Sequence, residues 1–130
     1  MKINKGEVNN NIALSLAEKT TITDAYYLFC FQSDQTKLKY YLIPPDSSTT
    51  EQKKRFNNFT ITEGVNDPLN GSIILGLAGR YHYTIYEQDN NTNLDPTGLT
   101  IVERGIMNLK GDLPSRYIAY INSITYSVYE

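Results

Sequence analysis

Apolar and polar residues alternate with a two-residue period along most of this chain, and that rhythm, with its many Tyr, Ile and Thr residues, predicts strands rather than helices. Ile12, Leu14 and Leu16 alternate with polar or small neighbours as a first strand. "AYYLFCF", Ala25 to Phe31, is nearly continuous apolar, the pattern of a central strand covered on both faces. In "TKLKYYLI" the residues Leu38, Tyr40 and Leu42 are in phase, and Pro44-Pro45 ends the run because proline cannot donate to a ladder. Ser48 and Glu51 have capping-box spacing, which predicts one or two helical turns over Ser48 to Arg55. "NFTIT", "SIIL" and "RYHYTIYE" read as short strands, with "NDPLNG" a turn between the first two. "LTIVERGIMNL" reads as two strands broken at Gly105, and "RYIAYINSITYSVY" keeps Ile118, Tyr120, Ile124, Tyr126 and Val128 in one phase as a final strand. Roughly eight or nine short strands at spacings of about 8 to 12 residues are the signature of an all-β sandwich or barrel, and the sandwich is the expected fold.

Within "GRYHYTIYE", Tyr81, Tyr83 and Ile85 share the face expected to be buried, while Arg80, His82 and Thr84 share the other. Gly79 followed two residues on by Tyr81 fits the corner that opens strand F of immunoglobulin-like domains, where a tyrosine hydroxyl bonds back to the backbone just upstream. Tyr83 then stands where those domains carry their second cysteine, and Cys30 lies in the region of the first. The expected architecture is an immunoglobulin-like antiparallel β-sandwich with one short helical turn. It forms one domain over residues 11–130, preceded by a polar N-terminal arm, residues 1–10, expected to be flexible and to order on assembly.

The chain has 130 residues, enough for one core, and a net charge of −2 from 12 basic and 14 acidic residues. That balance argues against a large field steering nucleic acid or an anionic membrane, and "KKR" at Lys53 to Arg55 is too short to bind duplex alone. A single cysteine, Cys30, forms no internal disulfide and is expected to be a buried, inert thiol. The opening residues lack the apolar core of a secretory signal, and no apolar run approaches the roughly 20 residues of a membrane span. Folding in a reducing cytoplasm is the expectation.

Asp89, Asn91, Asn93 and Asp95 recur at every second position, as a calcium loop begins, but the sixth position lacks glycine and Thr100 occupies the twelfth, where a bidentate Glu is needed. Asn and Asp side chains bonding to their own backbone in turns account for the composition. The only histidine, His82, falls on the polar face of its strand with no second His to share a metal, and no serine sits in a nucleophile-elbow context. The glycines are scattered at turns rather than gathered in a phosphate loop. Two acid pairs, Glu63 with Asp67 and Glu87 with Asp89, are conceivable general acid–base partners, with surface carboxylates the plainer reading. No catalytic, cofactor or metal site is expected, and no enzyme.

"KRFNNFTITEG", "NDPLNGSIIL", "GRYHYTIYEQ", "TNLDP" and "VERGIMNL" follow in this order across roughly residues 52 to 110. Together they resemble small structural proteins of tailed bacteriophages, including crAss-like phages. The resemblance implies a non-enzymatic virion component, made in the host cytoplasm, with the nearest role an auxiliary or decoration protein bound in many copies to the major capsid protein lattice. It carries over no functional residue. A head–tail connector or ring protein of the virion neck is the alternative place, and a carbohydrate-binding β-sandwich module is the alternative from another class, weakened by the absence of tryptophan. Contact with the partner is expected through the arm (Lys2, Asn4, Lys5) and through polar loops at one end of the sandwich (Asp46, Asn91, Asn93, Asp95), since loops on a rigid scaffold carry function. Outward tyrosines in the pairs Tyr26-Tyr27 and Tyr40-Tyr41 offer a sheet-face contact instead.

Overall fold

A computed structural model describes residues 1–22, 25–46 and 57–111. Among them run eight strands: β1 (Lys2–Asn4), β2 (Asn10–Leu14), β3 (Tyr26–Ser33), β4 (Lys39–Leu42), β5 (Asn57–Glu63), β6 (Ser72–Ile73), β7 (Gly79–Gln88) and β8 (Thr100–Lys110). Short 3-10 turns occupy Ala17–Lys19 and Pro68–Asn70. Strands β1-β8-β7-β3-β4 form one sheet in that order, and β2-β5-β6 form the other. Sequential strands β3 and β4 share a sheet with β7 and β8, β3 pairing with β7, while β2 and β5 lie in the other sheet, so the chain crosses between sheets as an immunoglobulin-like sandwich does. Most pairs are antiparallel, but β1 runs parallel to β8 and β6 parallel to β5.

Period-two patterning produces this core directly. Phe29, Phe31, Tyr81, Tyr83 and Ile85 point inward from β3 and β7 and are buried, as the alternation predicts. Phe59 of β5 meets them across the sheets, its ring 5.7 Å from Tyr27 and 5.0 Å from Phe29, both edge-on. Leu28 and Cys30 face the opposite side of β3 yet are also buried, each beside a tyrosine in register, Tyr86 and Tyr41 respectively. The "AYYLFCF" strand is therefore covered on both faces, and burial raises the Cys30 thiol above its ordinary pKa, as an inert cysteine requires.

Several expectations change. Residues 2–4 are not a flexible arm: β1 hydrogen-bonds along β8 and Ile3 is fully buried in the core. The reason is a single apolar side chain, Ile3, opposite Leu109, with Met107 and Leu109 waiting on the same inner face. Gly105 does not break its segment, because β8 is continuous through it. A Cβ there would lie 2.6 Å from ring atoms of Tyr83, its cross-strand partner, so the glycine makes room for an aromatic ring. The irregularity falls instead at Val102, an extra buried residue between the pairs Ile85–Glu103 and Tyr86–Ile101. "SIIL" gives only a two-residue strand, and Leu38 is exposed in the turn before β4. The helical turn expected over Ser48 to Arg55 and the strand expected from Arg116 onward lie outside the described residues. Among the described residues no helix is long and apolar enough to cross a membrane.

Candidate functional site

Tyr81 opens β7 with its ring fully buried, and its hydroxyl donates to the Leu77 carbonyl 2.8 Å away, four residues upstream. This is the geometry that defines a tyrosine corner. Gly79 precedes it at φ +144°, a conformation that favours glycine, and a Cβ there would meet only the Gln35 side chain, at an ordinary contact distance of 3.6 Å. Backbone geometry, not crowding, selects the glycine. Burial raises the Tyr81 phenol above its ordinary pKa. Two residues on, burial and the hydrogen bond to Glu103 Oε2 (2.9 Å) push the Tyr83 phenol up to about 12.

The loop from Asp89 to Leu99 joins β7 to β8 and is held by its own side chains. Gln88 Nε2 donates to the Asn93 carbonyl at 3.0 Å, and Asn93 Nδ2 returns a bond to Gln88 Oε1 at 3.0 Å. Asn93 Oδ1 accepts the Asp95 amide, and Asn90 Oδ1 accepts both the amide and hydroxyl of Thr92. Asp95 Oδ1 accepts the Thr97 amide at 3.0 Å and its hydroxyl at 2.7 Å, and these bonds hold the carboxyl below its ordinary pKa. Each acceptor is turned toward its own backbone, which rigidifies the loop. Among the described residues no three His, Cys, Asp or Glu side chains gather as metal ligands.

Asn91 from this loop and Asp46, four residues beyond β4, share a cleft of about 380 Å³, together with Tyr26, Tyr27, Pro44 and Leu69. Asp46 is anchored there, accepting from Asn57 Nδ2 at 2.8 Å and bridging to Phe59. The loop-end candidates thus come together.

Candidates from the opening residues do not join them. Lys2 pairs with Asn108, which faces Arg80 at the start of β7, whereas the Asp89–Leu99 loop leaves the other end of β7 at Gln88, about 27 Å away by strand rise. Lys5 Nζ donates to the Leu75 and Gly76 carbonyls (2.9 and 3.0 Å) and lies 3.6 Å from Glu63 Oε2. Asn4 is engaged locally as well: its amide donates to Asn10 Oδ1 and its Nδ2 to Glu7 Oε1. Asn4 stabilises its own turn, Lys5 ties that turn to the Leu75–Gly76 segment, and of the three only Lys2 presents an exposed outward side chain.

The conceivable acid pairs separate as well. Glu87 continues the inward phase of Tyr81, Tyr83 and Ile85, is buried, and accepts the amides of Thr21 and Ile22 (both 2.9 Å) and the Thr21 hydroxyl, while Asp89 is exposed. Glu63, also inward and buried, accepts the Gly6 amide (2.6 Å) and the Leu75 amide (2.9 Å), while Asp67 bonds Asn70 in the 3-10 turn. Both glutamates tie loops to strand ends. Sequence reasoning misses this role, although the signal exists: an acid standing in phase with a run of core residues needs buried donors. His82 is exposed, as expected, with Nε2 2.9 Å from Asp34 Oδ1. Asp34 is held below its ordinary pKa, chiefly by its hydrogen bond from Arg80.

No protein-family model, curated protein or solved structure matches this chain. The class defined by its own geometry is a small β-sandwich whose buried acids brace loops at its ends.

Proposed function

We propose that this protein is a non-enzymatic structural component of a bacteriophage virion, an auxiliary or decoration protein on the capsid shell. The observation that carries the proposal is the ordered series of segments from "KRFNNFTITEG" to "VERGIMNL". Its described part spans β5 to β8, the framework of the sandwich. Glu63 and Glu87, engaged by backbone amides rather than paired with Asp67 and Asp89, support a scaffold role. The loop end, with Asp46 and Asn91 around one cleft and Asn93 and Asp95 bracing the loop behind it, is a prearranged contact surface. The arm is not part of that surface.

Quantitative mass spectrometry of purified particles tests the reading. A shell protein gives hundreds of copies per particle, in fixed ratio to the major capsid protein. About a dozen copies would place it in a symmetric neck ring. Absence from washed particles overturns the virion reading altogether.

A further inference from the structure

Strand register gathers five cations on the outward face of the five-stranded sheet. Because Ile3, Phe29, Tyr83, Ile85 and Met107 point to the core, alternate positions point outward. Those positions include Lys2 on β1, Arg104 and Lys110 on β8, Arg80 on β7 and Lys39 on β4. No outward strand position on this face carries a carboxylate. Asp34, in the β3–β4 hairpin, contacts Arg80 and His82 at its margin. Among the described residues, Lys2, Lys39, Arg104 and Lys110 have no carboxylate within ion-pair distance. The described residues include eight basic and ten acidic side chains, so five cations on this face leave three basic against ten acidic residues elsewhere among them. A nearly balanced set of charges is thus sorted by the fold into a cationic face and an acidic remainder.

Lysines on edge strands deter edge-to-edge pairing, which accounts for Lys2 on β1 and Lys39 on β4. It does not account for Arg80, Arg104 and Lys110, which stand on the interior strands β7 and β8. These residues border two shallow depressions. One, of about 490 Å³, is bounded by Lys2, Arg80, Asn108 and Lys110. The other, of about 330 Å³, is bounded by His82, Thr84, Arg104 and Ile106. Asn108 and Arg104 are four residues apart along β8, a separation of about 13 Å.

We infer that this face binds an acidic surface of another protein, seating carboxylates in the two depressions. Ile106 and Ile101, 43% and 39% exposed on the same face, supply apolar contact among the cations. Arginine and tyrosine are enriched at protein interfaces, and this face carries Arg80, Arg104 and Tyr86. A long polyanion fits less well, because beyond the patch it would meet the acidic remainder of the described residues. At physiological salt the favourable field fades over a Debye length of about 8 Å. The inference concerns a surface other than the loop end and does not rest on the virion reading.

Isotope-labelled protein titrated with an end-blocked Glu-Glu-Ser-Ser-Glu-Glu peptide tests it, since the two glutamate pairs of an extended chain span about 13 Å. Saturable amide shifts are expected at Arg80, His82, Arg104, Ile106 and Asn108. Affinity should fall about tenfold between about 20 and about 200 mM salt. Replacing both Arg104→Gln and Lys110→Gln should weaken binding at least about fivefold while the amide spectrum of β2 and β5 stays unchanged, as expected for two outward side chains. Failure to bind, shifts spread over the β2-β5-β6 sheet, or affinity indifferent to salt or to the substitutions would each overturn the inference. Tighter binding of hexathymidylate would assign the face to nucleic acid and overturn it too.

Discussion

Replacing Tyr81→Phe deletes one oxygen and leaves the packing of a buried ring intact, including its tilted contact with Tyr40 at 6.2 Å. What is lost is the 2.8 Å bond to the Leu77 carbonyl. Were that carbonyl sealed from water, an orphaned acceptor would cost about 1–3 kcal/mol. The bond is only partly buried, so water can replace the phenol, and the net loss should be near the ordinary value of about 1 kcal/mol. With urea slopes of about 1–3 kcal/mol per molar, the midpoint should fall by about 0.3–1 M. The melting temperature should drop by about 3–5 °C for a chain of this size. Far-UV circular dichroism follows the transition, with tyrosine fluorescence as a second probe in a protein without tryptophan. Tyr86→Phe, on the outward face, serves as the control. An unchanged midpoint with an unchanged slope would refute the view that the corner bond contributes to stability.

Glu87→Ala strands two backbone amides and a hydroxyl in the loop before β3 and should cost about 2–4 kcal/mol in urea denaturation. Glu87→Gln, which keeps an acceptor for Thr21 and Ile22, should cost less than half as much. Gly105→Ala drives a methyl group into the Tyr83 ring, and overpacking of this kind should cost about 1–3 kcal/mol. The penalty should shrink in a Tyr83→Leu background, and equal penalties in the two backgrounds would contradict the ring-over-glycine account. Alkaline pH should destabilise the protein, because a phenol raised from 10.0 to about 12 favours the neutral form in the folded state. The Tyr83 contribution is whole below pH 10 and is lost as pH rises from 10.0 through about 12. Thermal midpoints measured across that interval should fall less steeply for Tyr83→Phe.

Residue phase makes much of this architecture legible along the chain. The inward set Tyr81, Tyr83, Ile85, the doubly covered β3 and the self-bonded Asn/Asp loop all depend on neighbours within a few positions, where sequence speaks most directly. Strand β1 stays hidden because its only apolar residue, Ile3, gains meaning from Leu109, more than a hundred positions away. Gly105 reads as a break because a glycine in a strand weakens it, and nothing local announces that a ring from β7 lies over it. The buried acids escape for another reason. Polarity suggests exposure, although Glu63 and Glu87 keep strict time with their apolar neighbours and meet their donors only in the folded chain. The cationic face is invisible along the sequence, since its five members are scattered from Lys2 to Lys110 and only register assembles them.

Because β1 and β8 are parallel neighbours, a pull applied at Met1 and beyond Lys110 draws the two strands past one another lengthwise. Each inter-strand bond, from Met1–Asn108 to Lys5–Lys110, then bears load at the same moment rather than in succession as in a zipper. Such a ladder resists tension stiffly and gives way in one step, and its rupture would release Ile3 from the core. The short opening strand is thus a mechanical clasp, which holds the sandwich shut against stretching along the chain.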